Sequence, residues 1–570
     1  VLSVQPLSGQ VREIIKKKVG TSSVPSKLTV EERIIHTLAP LTHFYEQRDY
    51  YPAWSNDNGL LPQAYTLIKL IHEADREGLR PTDYHLAEIE NTLGEISQNL
   101  IVTQSNYQIV KNSLNSKSLA KLDLLLTDAF LLYSSHLLNG RINPESVDSA
   151  WLIKHNEGDL TQVLRTALDS NRIEEALQNL LPKVPIYTGL RKALLKYRDI
   201  AARGGWPTVP EGPRMEKGQR GKRVLALRER LIATGDLNEE LNKDIELFDD
   251  ALEQAVRKFQ QRHGLDADGI VGPSTIAALN VPVEKRISQI ELNMERLRWL
   301  PQNLGHRYIL VNLANFELYV VENNQTVMAM RVIVGKPYWN TPVFSADMTY
   351  MVLNPHWDIP QTIFVEEILP RIRKDPEYLS KDKIKVLRSW SSKAEEIDPK
   401  TIDWSKVTEE NFKYRLRQEP GPRNPLGQIK FMLPNQFNVY LHDTPNKRLF
   451  KKTDRNLSHG CIRIEKPIDL AEYVLHSDPG WTRKKIRAVL NKGITQSIQL
   501  PEPIPVYLVY FTVWVNEDGT ILFRDDIYGR DNALEEALRD KDFLSLAYPI
   551  PIDKHITKVL YTRKDNLLIK

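Results

Sequence analysis

A multidomain α+β protein is what this sequence predicts: an α-helical N-terminal region, a compact three-helix unit, and a mainly β domain that carries a helical insertion. Three observations carry the prediction. The chain has 570 residues, enough for about three or four domains at roughly 150 residues each. A Gly- and Pro-rich run, Arg203-Gly204-Gly205-Trp206-Pro207-Thr208-Val209-Pro210-Glu211-Gly212-Pro213, breaks both regular structures and marks a linker. The hydrophobic period then changes from helical to alternating near residue 306.

Apolar residues recur at three- and four-residue spacing from Leu28 to Leu195, as in Ala64–Ile71 and Leu119–Leu138, so residues 28–214 are expected to form an α-helical domain. Residues 219–283 hold three helices, around Val224–Ile232, around Asp250–His263 and after Ser274-Thr275. The acidic Asp266-Ala267-Asp268-Gly269 run is no EF-hand, because Ala277 stands at the twelfth position where a Glu is required. The run Asp268-Gly269-Ile270-Val271-Gly272-Pro273 with Thr275 resembles that of peptidoglycan-binding domains, which implies a cell-wall connection.

A connecting helix occupies 284–305. Consecutive strands follow at Tyr308–Leu313, Phe316–Val321 and Val327–Val334, with a turn at Glu322–Gln325. Strand character returns at Phe437–Leu441 and Val506–Val515, where Asn516-Glu517-Asp518-Gly519 turns into Ile521–Phe523. The β domain therefore spans 306–530, interrupted at about 361–425 by a charged, Trp-containing, helical insertion of the length used for lids. Residues 531–570 are expected to be a C-terminal helix and tail.

Charge excludes some functions. With 77 Lys+Arg against 73 Asp+Glu the net charge is only +4, and no basic module suited to nucleic acid is present. Uncharged stretches such as Ala129–Gly140 and Pro503–Asn516 are shorter than the roughly 20 apolar residues of a membrane span. A single Cys rules out a disulfide framework and a Cys-rich zinc module.

That residue, Cys461, lies in Ser458-His459-Gly460-Cys461-Ile462-Arg463-Ile464, downstream of Tyr440-Leu441-His442-Asp443-Thr444-Pro445. A thiol attacks as thiolate, and its ordinary pKa of about 8.5 requires help at neutral pH. His442 and His459 are candidate proton acceptors, and seven Lys or Arg residues between Lys447 and Lys466 are expected to lower the thiol pKa. Gly460 admits a carbonyl close to the backbone, whose N–H groups can form an oxyanion hole. A Cys can also be a small buried hydrophobe, but a His-Gly shoulder and a basic flank are unnecessary for packing. Zinc bound by His442, His459 and Cys461 is disfavoured by the His-x-Cys spacing and the absence of H-E-x-x-H. Serine chemistry at Ser118–Lys121 or Ser380–Lys383 lacks the accompanying K-T-G and S-D-N motifs.

The block from His442 to Arg463 resembles the active-site signature of the L,D-transpeptidases, a His followed by S-H-G-C-x-R. Together with the unit at 219–283, a helical scaffold domain and the insertion, the chain resembles the large multidomain members found in Gram-negative bacteria. The resemblance implies that Cys461 is the nucleophile and His442 the general base. Ser458, His459 and Gly460 would shape the oxyanion hole with the Cys461 N–H, and Arg463 would position the site or a substrate carboxylate. Tyr440 and Trp357 would contact substrate, though His356 and Trp357 also suit the start of the insertion; Trp390 and Trp404 would cover substrate or pack the insertion's own core. Asp443 is not assigned to orient His442, because in this family a backbone carbonyl does so.

The resemblance further implies diaminopimelate-to-diaminopimelate crosslinking of peptidoglycan through a thioester, with tetrapeptide stems as donor and acceptor, release of D-Ala, and no metal or organic cofactor. It implies carbapenems as covalent inhibitors, other cell-wall synthesis enzymes as partners, and an exported, periplasmic enzyme whose export signal or membrane anchor is absent from this chain. Two rival readings are an L,D-carboxypeptidase or murein hydrolase on the same fold, and a non-catalytic wall-binding scaffold.

Overall fold

The structure is a computed structural model, and it describes residues 5–20, 28–30, 33–101, 115–238, 244–391, 393–539 and 548. Most of the expected tail, 540–547 and 549–570, lies outside the described residues. No described helix is long and apolar enough to cross a membrane.

The helical domain is built around one central helix, Ser116–Asn139, buried along nearly its whole length. Such a helix is apolar on all sides because neighbours surround it; helices Leu7–Val19, Leu38–Gln47, Leu86–Ile101 and Leu160–Ser170 pack against it. Its buried acids are fully engaged. Asp123 accepts from Tyr45 Oη at 2.7 Å and from the Ala53 and Trp54 amides at 2.8 and 2.9 Å. Asp128 accepts from the Thr37 amide at 2.7 Å and pairs with His85 Nε2 at 2.7 Å. The helix ends at Gly140, with φ +78°, where an added Cβ would stand 2.4 Å from Glu295 Oε1. Glu295 sits there because its carboxylate accepts the Ile142 amide at 3.0 Å and pairs with Arg298 at 3.0 Å. Glu295 and Arg298 belong to the connecting helix, observed at Val283–Arg298, so the hydrogen bond from the Ile142 amide to the Glu295 carboxylate ties the helical domain to the rest.

The three-helix unit is formed by Lys222–Thr234, Asp250–Arg262 and Pro273–Leu279 around Val224, Leu227, Leu231, Phe248, Leu252 and Phe259. Asp249 caps the second helix by accepting from the Leu252 amide. In the acidic turn, Asp268 accepts from the Ile270 amide and the Gln260 side chain, both at 2.9 Å.

The β domain holds a nine-stranded sheet. In spatial order its strands are Asn456–Ser458, Gln325–Gly335, Ile462–Ile464, Leu441–His442, Ile429–Met432, Phe344–Leu353, Gln496–Val509, Arg307–Asn312 and Glu317–Glu322. Gln325–Gly335 also pairs with Glu317–Glu322, which closes the sheet on itself. One strand is long enough to serve both seams: its first part pairs with Glu317–Glu322 and its end with Ile462–Ile464. Closure removes the exposed edges that a sheet of this size would otherwise present. The strand expected at Phe437–Leu441 is reduced to Leu441–His442. Before it, the Asn435 side chain accepts from the Phe437 and Val439 amides and donates to the Val439 carbonyl, which favours a loop.

The insertion is not purely helical. Helical turns cover Gln361–Lys374 and Tyr378–Lys381, and a four-stranded sheet runs in the order Glu396–Ile397, Ile384–Leu387, Arg415–Gln418, Trp357–Asp358. These strands have two to four residues, too short for an alternating pattern to show in the sequence. They share a core of Ile359, Phe364, Ile368, Leu369, Val386 and Leu416. The chain closes, among the described residues, with helix Arg530–Arg539, whose Asp531 pairs with buried Arg296 of the connecting helix at 2.5 Å.

Candidate active site

Two short parallel strands build the site. Leu441 pairs with Ile462 and His442 with Arg463, and the Ile462 amide donates to the Tyr440 carbonyl at 3.1 Å. Cys461 therefore lies one step before Ile462, beside Tyr440 and diagonal to His442. On the other side of His442, Lys430 is its antiparallel partner. Cross-strand partners share a face, so Lys430, His442 and Arg463 form a row across the sheet, with Tyr440 and Cys461 alongside.

The nucleophile segment turns at Gly460, with φ +107°, a conformation that side-chain-bearing residues rarely adopt. The Ser458 hydroxyl holds this turn, accepting from the Gly460 amide at 3.2 Å and donating to the Cys461 carbonyl at 2.6 Å. Thr341 Oγ1 donates to the Gly460 carbonyl at 2.8 Å and accepts from the Gly335 amide at 3.0 Å. Tyr528 Oη donates to the Gly335 carbonyl at 2.7 Å. A Cβ at Gly335 would stand 2.0 Å from the Trp339 carbonyl oxygen and 3.1 Å from Gly460 Cα. Because the obstacle is backbone, Gly335→Ala is expected to displace the Gly460 turn and to slow alkylation of Cys461 by iodoacetamide by about 10²-fold, as an ångström-scale misplacement does. It should also lower stability by roughly 1–3 kcal/mol; a melting curve and an alkylation time course read both effects, and an unchanged alkylation rate would contradict this account of the turn.

His442 is buried. Its Nδ1 lies 2.5 Å from the Asp443 carbonyl oxygen, which can only accept, so Nδ1 donates and Nε2 is left as the acceptor. The Asp443 carboxylate is used elsewhere, accepting from the Thr444 and Gln428 amides at 2.7 and 2.9 Å and pairing with Lys447. A backbone carbonyl therefore orients the imidazole, as the resemblance implies.

The electrostatics differ from expectation. Burial pushes the Cys461 thiol above its ordinary range; Tyr440, Lys430 and Arg463 oppose that shift without cancelling it. Burial and then the Arg463 charge, helped by Lys430 and Lys447, push His442 down to about 3 against the Asp443 carbonyl. A raised thiol beside a depressed imidazole is a neutral pair at rest. The basic stretch does not ionise the sulfur as expected, because most of it faces away: Arg448, Lys451, Lys452 and Lys466 are exposed, Lys447 pairs with Asp443, and Arg455 bonds the Val332 and Phe316 carbonyls. Of the seven, Arg463 places its charge beside the thiol. The Sγ itself is half-buried and 3.8 Å from the Asn438 carbonyl.

His459 turns towards the insertion. Its Nε2 is 2.8 Å from Glu367 Oε1 and its ring centroid 4.2 Å from that of Trp339. Among the described residues no three His, Cys, Asp or Glu side chains are grouped to hold a metal ion. Arg463 Nε is buried and makes no hydrogen bond among the described residues. Trp357 packs on the insertion's core. Trp404 belongs to the same core, donating to the Pro399 carbonyl at 3.0 Å and facing Phe412. Trp390 is exposed with the Arg415 guanidinium 4.8 Å from its ring centroid.

Three site residues were missed in the sequence. Lys430, in Ile429-Lys430-Phe431, is a lone cation in an apolar strand, a signal that needed the strand pairing to be read. Glu367 and Thr341 left no local signal.

Comparisons with known proteins match three segments of the chain. Residues 39–194 match the family model described as a scaffold domain, 220–279 that of a "Putative peptidoglycan binding domain", and 306–486 that of the L,D-transpeptidase catalytic domain. A protein of Haemophilus influenzae named "Putative L,D-transpeptidase" is 36% identical over 255 residues, 45% of this chain and 50% of that protein. The chain thus spans about half the length of this curated relative. The N-acetylmuramoyl-L-alanine amidase CwlM of Mycobacterium tuberculosis is 42% identical over 80 residues, 13% of this chain and 20% of the relative. Among solved structures, an L,D-transpeptidase from Mycobacterium smegmatis covers 36% of this chain and 58% of its own, at 11% identity and a TM-score of 0.17.

Proposed function

We propose that this chain, which carries an L,D-transpeptidase catalytic domain behind a peptidoglycan-binding domain, crosslinks peptidoglycan stems through a Cys461 thioester. The observation that carries the reading is the placement of Cys461 on the Gly460 turn, diagonal to a histidine whose Nδ1 is tied to a backbone carbonyl. His442 Nε2 takes the thiol proton as Sγ attacks the carbonyl of the third, diaminopimelate residue of a tetrapeptide stem. The Gly460 amide is held by Ser458, so the Cys461 amide is the donor assigned to the developing oxyanion. The tetrahedral intermediate collapses, the bond to D-Ala breaks, and His442 returns its proton to the departing amine.

A diaminopimelate side-chain amine of a second stem then attacks the thioester, loses a proton to His442, and expels the thiolate, which His442 reprotonates. Water in place of the amine gives a tripeptide and carboxypeptidase activity. The insertion bears on that choice, because Glu367 reaches the His459 ring next to the nucleophile and a closed lid excludes water. A substrate of this kind places the enzyme outside the cytoplasm, in the periplasm.

Purified protein incubated with tetrapeptide muropeptides is expected to yield diaminopimelate-linked dimers with release of D-Ala. Tripeptide monomers alone would replace the transferase by a carboxypeptidase. Unchanged tetrapeptides would overturn both.

A further inference from the structure

We propose that Lys430, with Arg463, forms a carboxylate-binding pair across the face of His442 and selects donor stems whose leaving residue ends in a free carboxylate. The inference rests on the transpeptidase reading, in which the resemblance already offers Arg463 to a substrate carboxylate, and Lys430 is the residue it adds.

Position is the first argument. The register Lys430–His442–Arg463 sets one cation on each side of the histidine, each one strand spacing, about 4.8 Å, from it. The Lys430 ammonium lies 3.8 Å from the Tyr440 ring centroid. Tyr440 is the residue beside Cys461, so the ammonium is drawn from its own row towards the sulfur.

Charge is the second. Among the described residues neither Lys430 nor Arg463 is in an ion pair. The acids whose charges act on them are committed elsewhere: Asp358 lies 2.6 Å from Arg415 and 2.9 Å from Arg417, and Glu367 holds His459. Arg463 Nε is buried with no hydrogen bond among those residues. Burial lowers the pKa of both cations, as expected for charge removed from water without a partner. The thiol does not supply the missing anion, since it is neutral at rest. Two partly desolvated cations with no counter-ion are therefore a site that an anion completes.

Chemistry identifies the anion. A donor stem at Cys461 carries, on the residue being expelled, a carboxylate one residue from the scissile carbonyl, and a carboxylate is the natural partner of a guanidinium and an ammonium. Its arrival also neutralises the two charges that help to hold His442 unprotonated. The imidazole would become a better proton acceptor only when a correct donor is bound.

The test compares tetrapeptide donors ending in D-alanine or in D-alaninamide, with wild-type protein, Lys430→Met and Lys430→Arg. Wild type is expected to favour the acid over the amide by at least about tenfold in kcat/KM, mostly through KM, the worth of one charge-assisted hydrogen bond. Lys430→Met should bring that ratio close to one, and Lys430→Arg should restore much of it. Equal losses on both donors, or slower carbamidomethylation of Cys461 in Lys430→Met, would assign Lys430 to folding or to the thiol and overturn the proposal. A wild-type protein that uses both donors equally would remove this inference alone. One inert towards both would remove the transpeptidase reading, and this inference with it.

Discussion

Alanine at position 461 is expected to lower turnover of tetrapeptide donors by at least about 10⁴-fold, the scale of losing a nucleophile, while the protein melts within a few degrees of wild type. Both halves follow from the site. The sulfur lies 3.8 Å from the Asn438 carbonyl and hydrogen-bonds with Tyr440, and sulfur is a weak donor and acceptor, so little stability goes with it. The Gly460 turn is held by Ser458 and Thr341 and does not depend on the thiol. The same substitution should abolish the drug-sized mass adduct expected on wild type after exposure to a carbapenem. Binding to isolated cell wall through residues 220–279 should survive. An adduct that persists on the variant would move the nucleophile elsewhere in the chain.

Replacing His442 by Gln should remove general base catalysis, worth about 10²–10⁴-fold, and should also change how stability depends on pH. In the folded protein His442 is depressed to about 3 by burial and by Arg463, Lys430 and Lys447, whereas in the unfolded chain it titrates near 6.5. Above about pH 6.5 both states hold it neutral and it contributes no pH dependence. Below that the unfolded chain gains a proton that the folded protein refuses, so stability falls as pH falls, at about 1.4 kcal/mol per unit, until pH approaches 3. His442→Gln lacks this term. The difference in melting temperature between variant and wild type is therefore expected to shift in the variant's favour between pH 7 and pH 4.5. A constant difference across that range would mean that His442 titrates normally and that the neutral pair described above is wrong.

Cys461 and His442 were legible in the sequence because their chemistry is written locally: a thiol after His-Gly, and a histidine in a short strand run. Gly460 was legible as a place of close backbone approach, but the turn that its φ of +107° makes there was not. The β domain's first strands could be read from alternation. The short strands of the insertion could not, and neither could the loop at 435–440, where the Asn435 side chain captures backbone groups that strand pairing would otherwise use. The basic flank was misread for a related reason. Charge density along a chain says nothing about which side chains face a buried sulfur, and those from Lys447 to Lys452 are exposed or paired with Asp443.

The sequence by itself determined the order of the domains and singled out Cys461 and His442 as the candidate thiol and base, because periodicity and short-range motifs act over a few residues. Only the tertiary structure decided that burial raises the thiol and depresses the imidazole, that Lys430 and Arg463 flank His442 with no ion pair among the described residues, and that Glu367 reaches in from the insertion to His459. Those facts depend on which strands meet when the sheet closes and on how much water closure removes. Neither is a property of any short stretch of chain.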